Sequence, residues 1–357
     1  MKKNIALLPG DGIGKEVTKE AVKILQAIAT RFNHKFTFTE ALIGAAAIDS
    51  VGDPFPPESG KLCRSSDAIL LGAVGDPRFD QRHPSGMSPE QGLLRMRKEL
   101  GLYANIRPVK SYPGLYNRSP LKAQVLAGAN LVIFRELTGG LYFGEKKRSA
   151  DSASDLCLYT REEIIRIAIP AFEAAMQRRK KLTLVDKANV LETSRLWREV
   201  VREISGNFPG VEVDYLYVDN AAMQLIQNPR QFDVILTENM FGDILSDEAS
   251  VLTGSLGMLP SASIGNKVSL YEPVHGSWPE AAGRNIANPI GAILSTAMML
   301  EYSFQLPLES AWIHRAVEEA IQAEALTLDL NPSGGRSTTA TGDFISNFLL
   351  HENLHSV

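Results

Sequence analysis

Short apolar strands alternating with amphipathic helices, a strand, glycine turn and helix at the start, and a length of 357 residues predict an α/β protein of two domains. The length suits two units of roughly 150 residues, or else one large domain, and is too great for a small stapled module. Hydrophobic residues at 44% and charged residues at 22% allow substantial cores, so disorder is not the default reading.

Residues 4–8 read as a buried strand, 9–14 as a tight glycine turn, and 15–30 as a helix with Val17, Ala21, Ile24 and Ile28 on one face. Residues 36–39 alternate apolar and polar as a strand does, and 68–71 form a short apolar run. Another strand is expected at 131–135. Thr160 with Glu163 forms a capping-box pattern ahead of Ile164, Ile165, Ala168, Ile169 and Phe172, and Pro170 is expected to kink that helix. Strands at 182–185, 211–218 and 232–236 continue the rhythm, each followed by helical spacing. A helix is expected after Asp243. The Gly- and Ser-rich passage through Ser261, Ser263 and Gly265 then reads as a crossing between domains. The last hundred residues read as mostly helical, with segments at 288–302 and 310–326, and no internal repeat is visible.

Lysine plus arginine number 37 against 41 acidic residues, a net charge of −4, so no general field favours nucleic acid and any anion site must be local. Cys63 and Cys157 lie far apart without CxxC spacing, which suits reduced, inert thiols better than a disulfide. The apolar run at 5–8 is too short for a signal-peptide core, and no stretch approaches the ~20 apolar residues of a membrane helix. A soluble, cytoplasmic protein without a membrane partner is expected.

Gly10-Asp11-Gly12-Ile13-Gly14 is either a structural turn or a loop that presents backbone NH groups to an anion. Its third glycine comes one position early for GxGxxG, which rejects an ordinary Rossmann fold. Arg135 directly follows an apolar strand, where a fork of donors suits a carboxylate. Arg95 is explained by surface solvation. Asp243 and Asp247 at i and i+4 should repel on one helix face, a penalty that a hard divalent cation such as Mg²⁺ or Mn²⁺ would reverse; a solvated acidic face is the plainer reading. Lys187, just beyond a strand, is an ordinary loop lysine or a base. Tyr142 is a core aromatic or a proton donor, and His275 packs or stacks.

The segments LLPGDGIG, LLRMRKELGLYANIRP, RELTGGLYFGE, DKANVLETS, NMFGDILSDEAS and EPVHGS, in this order, resemble the β-decarboxylating dehydrogenases, the isocitrate and isopropylmalate dehydrogenase family. The likeness covers nearly the whole chain and is greatest to the isopropylmalate branch. It implies a two-domain α/β fold distinct from the Rossmann fold, with residues 1–102 and 254–357 in one domain and 103–253 in the other. It also implies a homodimer with shared active sites and an interlocking arm at 151–159.

The resemblance assigns Arg97, Arg107 and Arg135 to the substrate carboxylates. It assigns Asp243 and Asp247 to Mg²⁺ or Mn²⁺, with Asp219 supplied by the other subunit. Lys187, contributed across the dimer, would be the base or proton relay; Asn189 would touch substrate or nicotinamide, and Tyr142 would protonate carbon after CO₂ leaves. Glu90, Leu93 and Leu94 hold the family's recognition positions, with Val190 of the other subunit lining an isopropyl pocket. Two leucines favour a branched alkyl group over a third carboxylate, so 3-isopropylmalate is expected and isocitrate disfavoured. Ile13, His275, Gly276, Ser277, Glu280 and Asn288 would bind NAD⁺, the acidic Glu280 disfavouring a 2′-phosphate. Glu280 stands in place of the usual aspartate, and Trp278 in place of a small residue. The expected products are 4-methyl-2-oxopentanoate, CO₂ and NADH, as in leucine biosynthesis. Tartrate, D-malate and homoisocitrate dehydrogenases share much of the site. A non-catalytic subunit is disfavoured by the joint presence of Tyr142, Lys187, Asp219, Asp243 and Asp247.

Overall fold

The computed structural model describes residues 1–79 and 86–352. Among them the strands are, in chain order, β1 (Lys2–Gly10), β2 (Lys35–Glu40), β3 (Ala68–Ala73), β4 (Leu102–Lys110), β5 (Asn130–Glu136), β6 (Lys146–Arg148), β7 (Ala153–Asp155), β8 (Lys181–Asp186), β9 (Glu212–Tyr217), β10 (Val234–Thr237), β11 (Pro260–Gly265) and β12 (Leu270–Pro273). The chain divides into two compact units: Met1–Leu102 together with the chain from Ser255 onward, and Tyr103–Gly254.

In the first unit the strand order is β2-β1-β3-β12-β11, parallel except for the β11–β12 pair. The all-apolar AILLGA of β3 is buried throughout, as a central parallel strand must be. Helix Gly14–Phe32 buries Val17, Ala21, Ile24 and Ile28 and packs on helices Ile290–Met298 and Thr338–His351. Ile290–Met298 is buried on every side, which explains its continuous apolar sequence.

The Ser- and Gly-rich passage is not a crossing between domains. Pro260–Gly265 is strand β11, its first four residues buried, and the change of unit falls before it. Small side chains let the strand pack closely, and the same small residues read as a loop in sequence.

In the second unit the order is β4-β5-β10-β8-β9, antiparallel only at β4–β5. Helix Arg161–Gln177 starts at the Thr160 capping box, worth about 1 kcal/mol, and runs on past Pro170, held by its buried face of Ile167, Ala168, Ala171 and Phe172. The helix expected after Asp243 already starts at Asn239, four residues before it. Of the segment expected as an arm, 151–159, Ala153–Asp155 is β7, which pairs with β6 just before that segment in an exposed hairpin.

Candidate active site

In each unit the parallel strands end along one edge, the usual place for ligand contacts in open α/β sheets. In the second unit β5, β10 and β8 deliver Arg135, the Asn239–Ala249 helix and Lys187 there. Asn105 of β4 pairs with Arg135 of β5, and Arg107 lies two residues along on the same face.

Arg135 is 2% exposed; its Nε and Nη2 donate to Asn239 Oδ1 at 3.0 and 2.9 Å, and its Nη1 donates to Asp243 Oδ1. Arg107 donates from Nε to Asn105 Oδ1 at 2.7 Å and from Nη1 to Ser246 Oγ at 2.5 Å, with Asp247 Oδ1 at 3.4 Å. The helix can lie this close to β5 because residue 242 is glycine: a Cβ there would stand 2.7 Å from Arg135 Cβ. Tyr142 donates its hydroxyl proton to Asp243 Oδ2 at 2.8 Å. Burial and the Asp243 carboxylate push the phenol pKa up, which keeps Tyr142 protonated.

Tyr142 is positioned by buried groups that sequence reasoning did not single out. Glu136 accepts from the backbone N–H of Thr138 and Gly139, and Asn239 donates from Nδ2 to Gly139 O, while its N–H donates to the Tyr159 oxygen. Asn239, Ser246 and Glu136 carry no periodic signal; only their motif neighbourhood pointed to them.

Lys187 follows β8 in a turn that leaves Asn189 and Val190 exposed. Its Nζ donates to Asp219 Oδ1 at 2.7 Å, and its backbone N–H donates to Ser194 Oγ at 3.1 Å. Asp186, gripped by Arg198 at 2.6 and 3.0 Å, fixes the start of this turn. Within one chain Asp219 is therefore engaged with Lys187, not with Asp243 and Asp247. No group of three His, Cys, Asp or Glu suited to a metal ion occurs among the described residues. Asp243 and Asp247 offer hard oxygen donors that fit Mg²⁺ or Mn²⁺ once a third carboxylate joins them.

In the first unit the glycine turn proves to be a clamp. Gly10 has φ +69°, and a Cβ on Gly14 would stand 2.3 Å from Pro9 O. Asp11, 4% exposed, accepts backbone N–H groups of Ala45, Ala46 and Gly75, each at 2.9 Å. Burial raises its pKa against those bonds. Ile13 N–H donates to Ser277 O at 2.7 Å, tying the turn to the loop after β12. Ile13, His275, Gly276 and Asn288 line a cavity of about 540 Å³. His275 Nε2 is buried there without a partner, and burial lowers the ring's pKa, which favours the neutral form. That orphaned atom, with half-exposed apolar walls, fits a nucleotide.

The cavity also has Asp329, which accepts from Asn288 Nδ2 at 3.0 Å and was not expected from sequence. Glu280 is exposed in the short turn Pro279–Ala281. Arg97 is 8% exposed and donates to Glu272 Oε1 at 3.3 Å, while its Nε stays buried and unpartnered. Glu90, Leu93 and Leu94 lie on the same helix, Pro89–Leu100, both leucines half-buried.

A family model described as isocitrate/isopropylmalate dehydrogenase matches residues 4–347. The chain belongs to the isocitrate/isopropylmalate dehydrogenase family. A relative in Geobacillus kaustophilus named 3-isopropylmalate dehydrogenase is 58% identical over 93% of this chain and 91% of its own. One of the same name in Bacteroides fragilis is 51% identical over 97% and 98%. Among solved structures, isocitrate dehydrogenase from Methylococcus capsulatus superposes with a TM-score of 0.88 at 35% identity, covering 98% of this chain and 99% of that one. The family assignment makes the chain a dehydrogenase with an α/β fold. No helix among the described residues is long and apolar enough to cross a membrane.

Proposed function

We propose that the protein is a cytoplasmic, homodimeric enzyme that oxidatively decarboxylates (2R,3S)-3-isopropylmalate with NAD⁺ to 4-methyl-2-oxopentanoate and CO₂, a step of leucine biosynthesis. The observation that carries this reading is the identity of 58% to a relative named for that substrate, against 35% to one named for isocitrate.

Arg97, Arg107 and Arg135 hold the two substrate carboxylates through forked, charge-assisted bonds. Lys187 of the second copy takes the C2 hydroxyl proton. Bound NAD⁺ would supply the acceptor for the C2 hydride, and Asp243, Asp247 and the second copy's Asp219 would hold a Mg²⁺ or Mn²⁺ ion whose charge would offset negative charge on the substrate oxygen. After the C3 carboxylate leaves as CO₂, Tyr142, kept protonated by its surroundings, delivers its proton to C3. Leu93, Leu94 and the second copy's Val190 surround the isopropyl group, and Asn189 contacts substrate or nicotinamide. Ser277, His275, Gly276, Ile13 and Asn288 seat the dinucleotide, and Glu280 receives a ribose hydroxyl and repels a 2′-phosphate.

Sharing between two copies accounts for what one chain leaves exposed. Val190 is 62% exposed and Ile244 58%, and Leu156 and Leu158 of the arm region are also open. Following NADH formation from 3-isopropylmalate, isocitrate and D-malate, each with and without chelator, tests the reading. Preference for isopropylmalate that chelator abolishes is the expected result; preference for D-malate would keep the reaction class and sink the substrate.

A further inference from the structure

Of the three tryptophans, Trp197 and Trp312 are buried at 1% exposure, whereas Trp278 is 51% exposed. Trp278 also sits at φ +38°, ψ +66°, a left-handed conformation that costs a bulky residue on the order of 1–3 kcal/mol. The backbone is pinned there from both sides. Ser277 O accepts the Ile13 N–H at 2.7 Å, and Trp278 O accepts the Ala281 N–H at 3.0 Å. A half-exposed indole on a strained backbone contributes little to a core, so the strain calls for another use.

The ring lines the 540 Å³ cavity with Ile13, Leu256, Ile286 and Leu328, and Leu256 and Leu328 are themselves 38% and 49% exposed. Apolar side chains left open to water thus gather at one cavity of ligand size. None of the described lining residues is lysine or arginine, and Asp329 adds a negative charge, so this part of the cavity repels a phosphate. A flat, uncharged heteroaromatic group fits it, because an indole face stacks on a purine through dispersion and complementary quadrupoles.

We propose that Trp278 stacks on the adenine of the bound dinucleotide and is a determinant of cofactor affinity. The inference rests on the dinucleotide reading given above and adds which ring Trp278 meets. Stacking on an aromatic side chain is worth roughly a ten-fold change in affinity when the ring is removed.

The test uses the full-length protein with NAD⁺, ADP-ribose and nicotinamide mononucleotide, reading indole emission and, independently, binding by calorimetry. NAD⁺ and ADP-ribose should quench emission, whereas the mononucleotide should leave it unchanged. Trp278→Phe should keep affinity near wild type and abolish the change in emission. Trp278→Ala should weaken ADP-ribose binding about ten-fold. Trp278→Gly, which relieves the left-handed strain, should keep or raise the melting temperature of the free protein yet bind ADP-ribose as weakly as Trp278→Ala. Equal affinity in wild type and Trp278→Ala, or quenching by the mononucleotide, would overturn the proposal while leaving the dinucleotide reading intact. Absence of any NAD⁺ binding to wild type would overturn both.

Discussion

Lys187 Nζ stands 2.7 Å from Asp219 Oδ1, so the proposed base and a proposed metal ligand hold each other within one chain. Asp219 is 67% exposed at its side chain, and Tyr142, Asp243 and Arg135 form a separate hydrogen-bonded group, which Ser246 links to Arg107. On the proposed homodimeric reading, a complete site would draw one group from each of two copies. Lys187→Ala and Asp243→Asn should each be inactive alone, and mixing the two proteins under conditions of subunit exchange should restore activity, because one site of the mixed dimer is intact. Activity that stays absent after exchange verified by mass measurement would rule out the shared site.

Asp247 and Asp243 repel across one helical turn, and a bound cation turns that repulsion into attraction. Asp247→Asn should leave the metal-free protein as stable or a few tenths of a kcal/mol more so, while raising the Mg²⁺ concentration needed for half-maximal activity. Melting with and without Mg²⁺ checks this: wild type should gain stability on adding metal, and the variant should gain less. A variant with undiminished metal stabilisation would remove Asp247 from the ligand set.

Leu94, half-buried on helix Pro89–Leu100, is proposed to meet the isopropyl group. Leu94→Ala should lower kcat/KM for 3-isopropylmalate about 10- to 100-fold and change that for D-malate far less, since lost apolar contact matters only to the branched substrate. Equal losses on both substrates would point to a damaged helix instead of a lost pocket wall.

Seven of the twelve described strands were legible from their apolar patterns, whereas β4, β6, β7, β11 and β12 were not; the roles of the site residues came from the family resemblance, and some of those residues drew notice on their own by following an apolar run. Arg135 after 131–134 and Lys187 after 182–185 are examples. Asn239, Ser246 and Glu136 were not legible, because their meaning lies in contacts across long separations, such as the 104 residues between Arg135 and Asn239. The passage at 260–265 was misread for a related reason. Small polar residues usually mark loops, and only tertiary burial distinguishes a close-packed strand from one.

Glu238 immediately precedes the helix that carries Asn239 and Asp243, and it is 6% exposed, receiving the Ser194 hydroxyl at 3.4 Å with Cys157 Sγ at 3.9 Å. Burial is the main force that pushes its carboxyl up to about 7 from an ordinary 4.5; the Ser194 bond opposes the rise, and the Asp186 charge adds to it. Between those two values the folded protein holds a proton that the unfolded chain releases. Stability should therefore fall as pH rises from about 4.5 to about 7 and level off above. Glu238→Gln keeps the shape without the charge. It should flatten this dependence and make the protein about 1–3 kcal/mol more stable than wild type above pH 7. Urea denaturation of both proteins across that range, at one fixed protein concentration, measures the difference. If the two stability curves run parallel, Glu238 is not the titrating group.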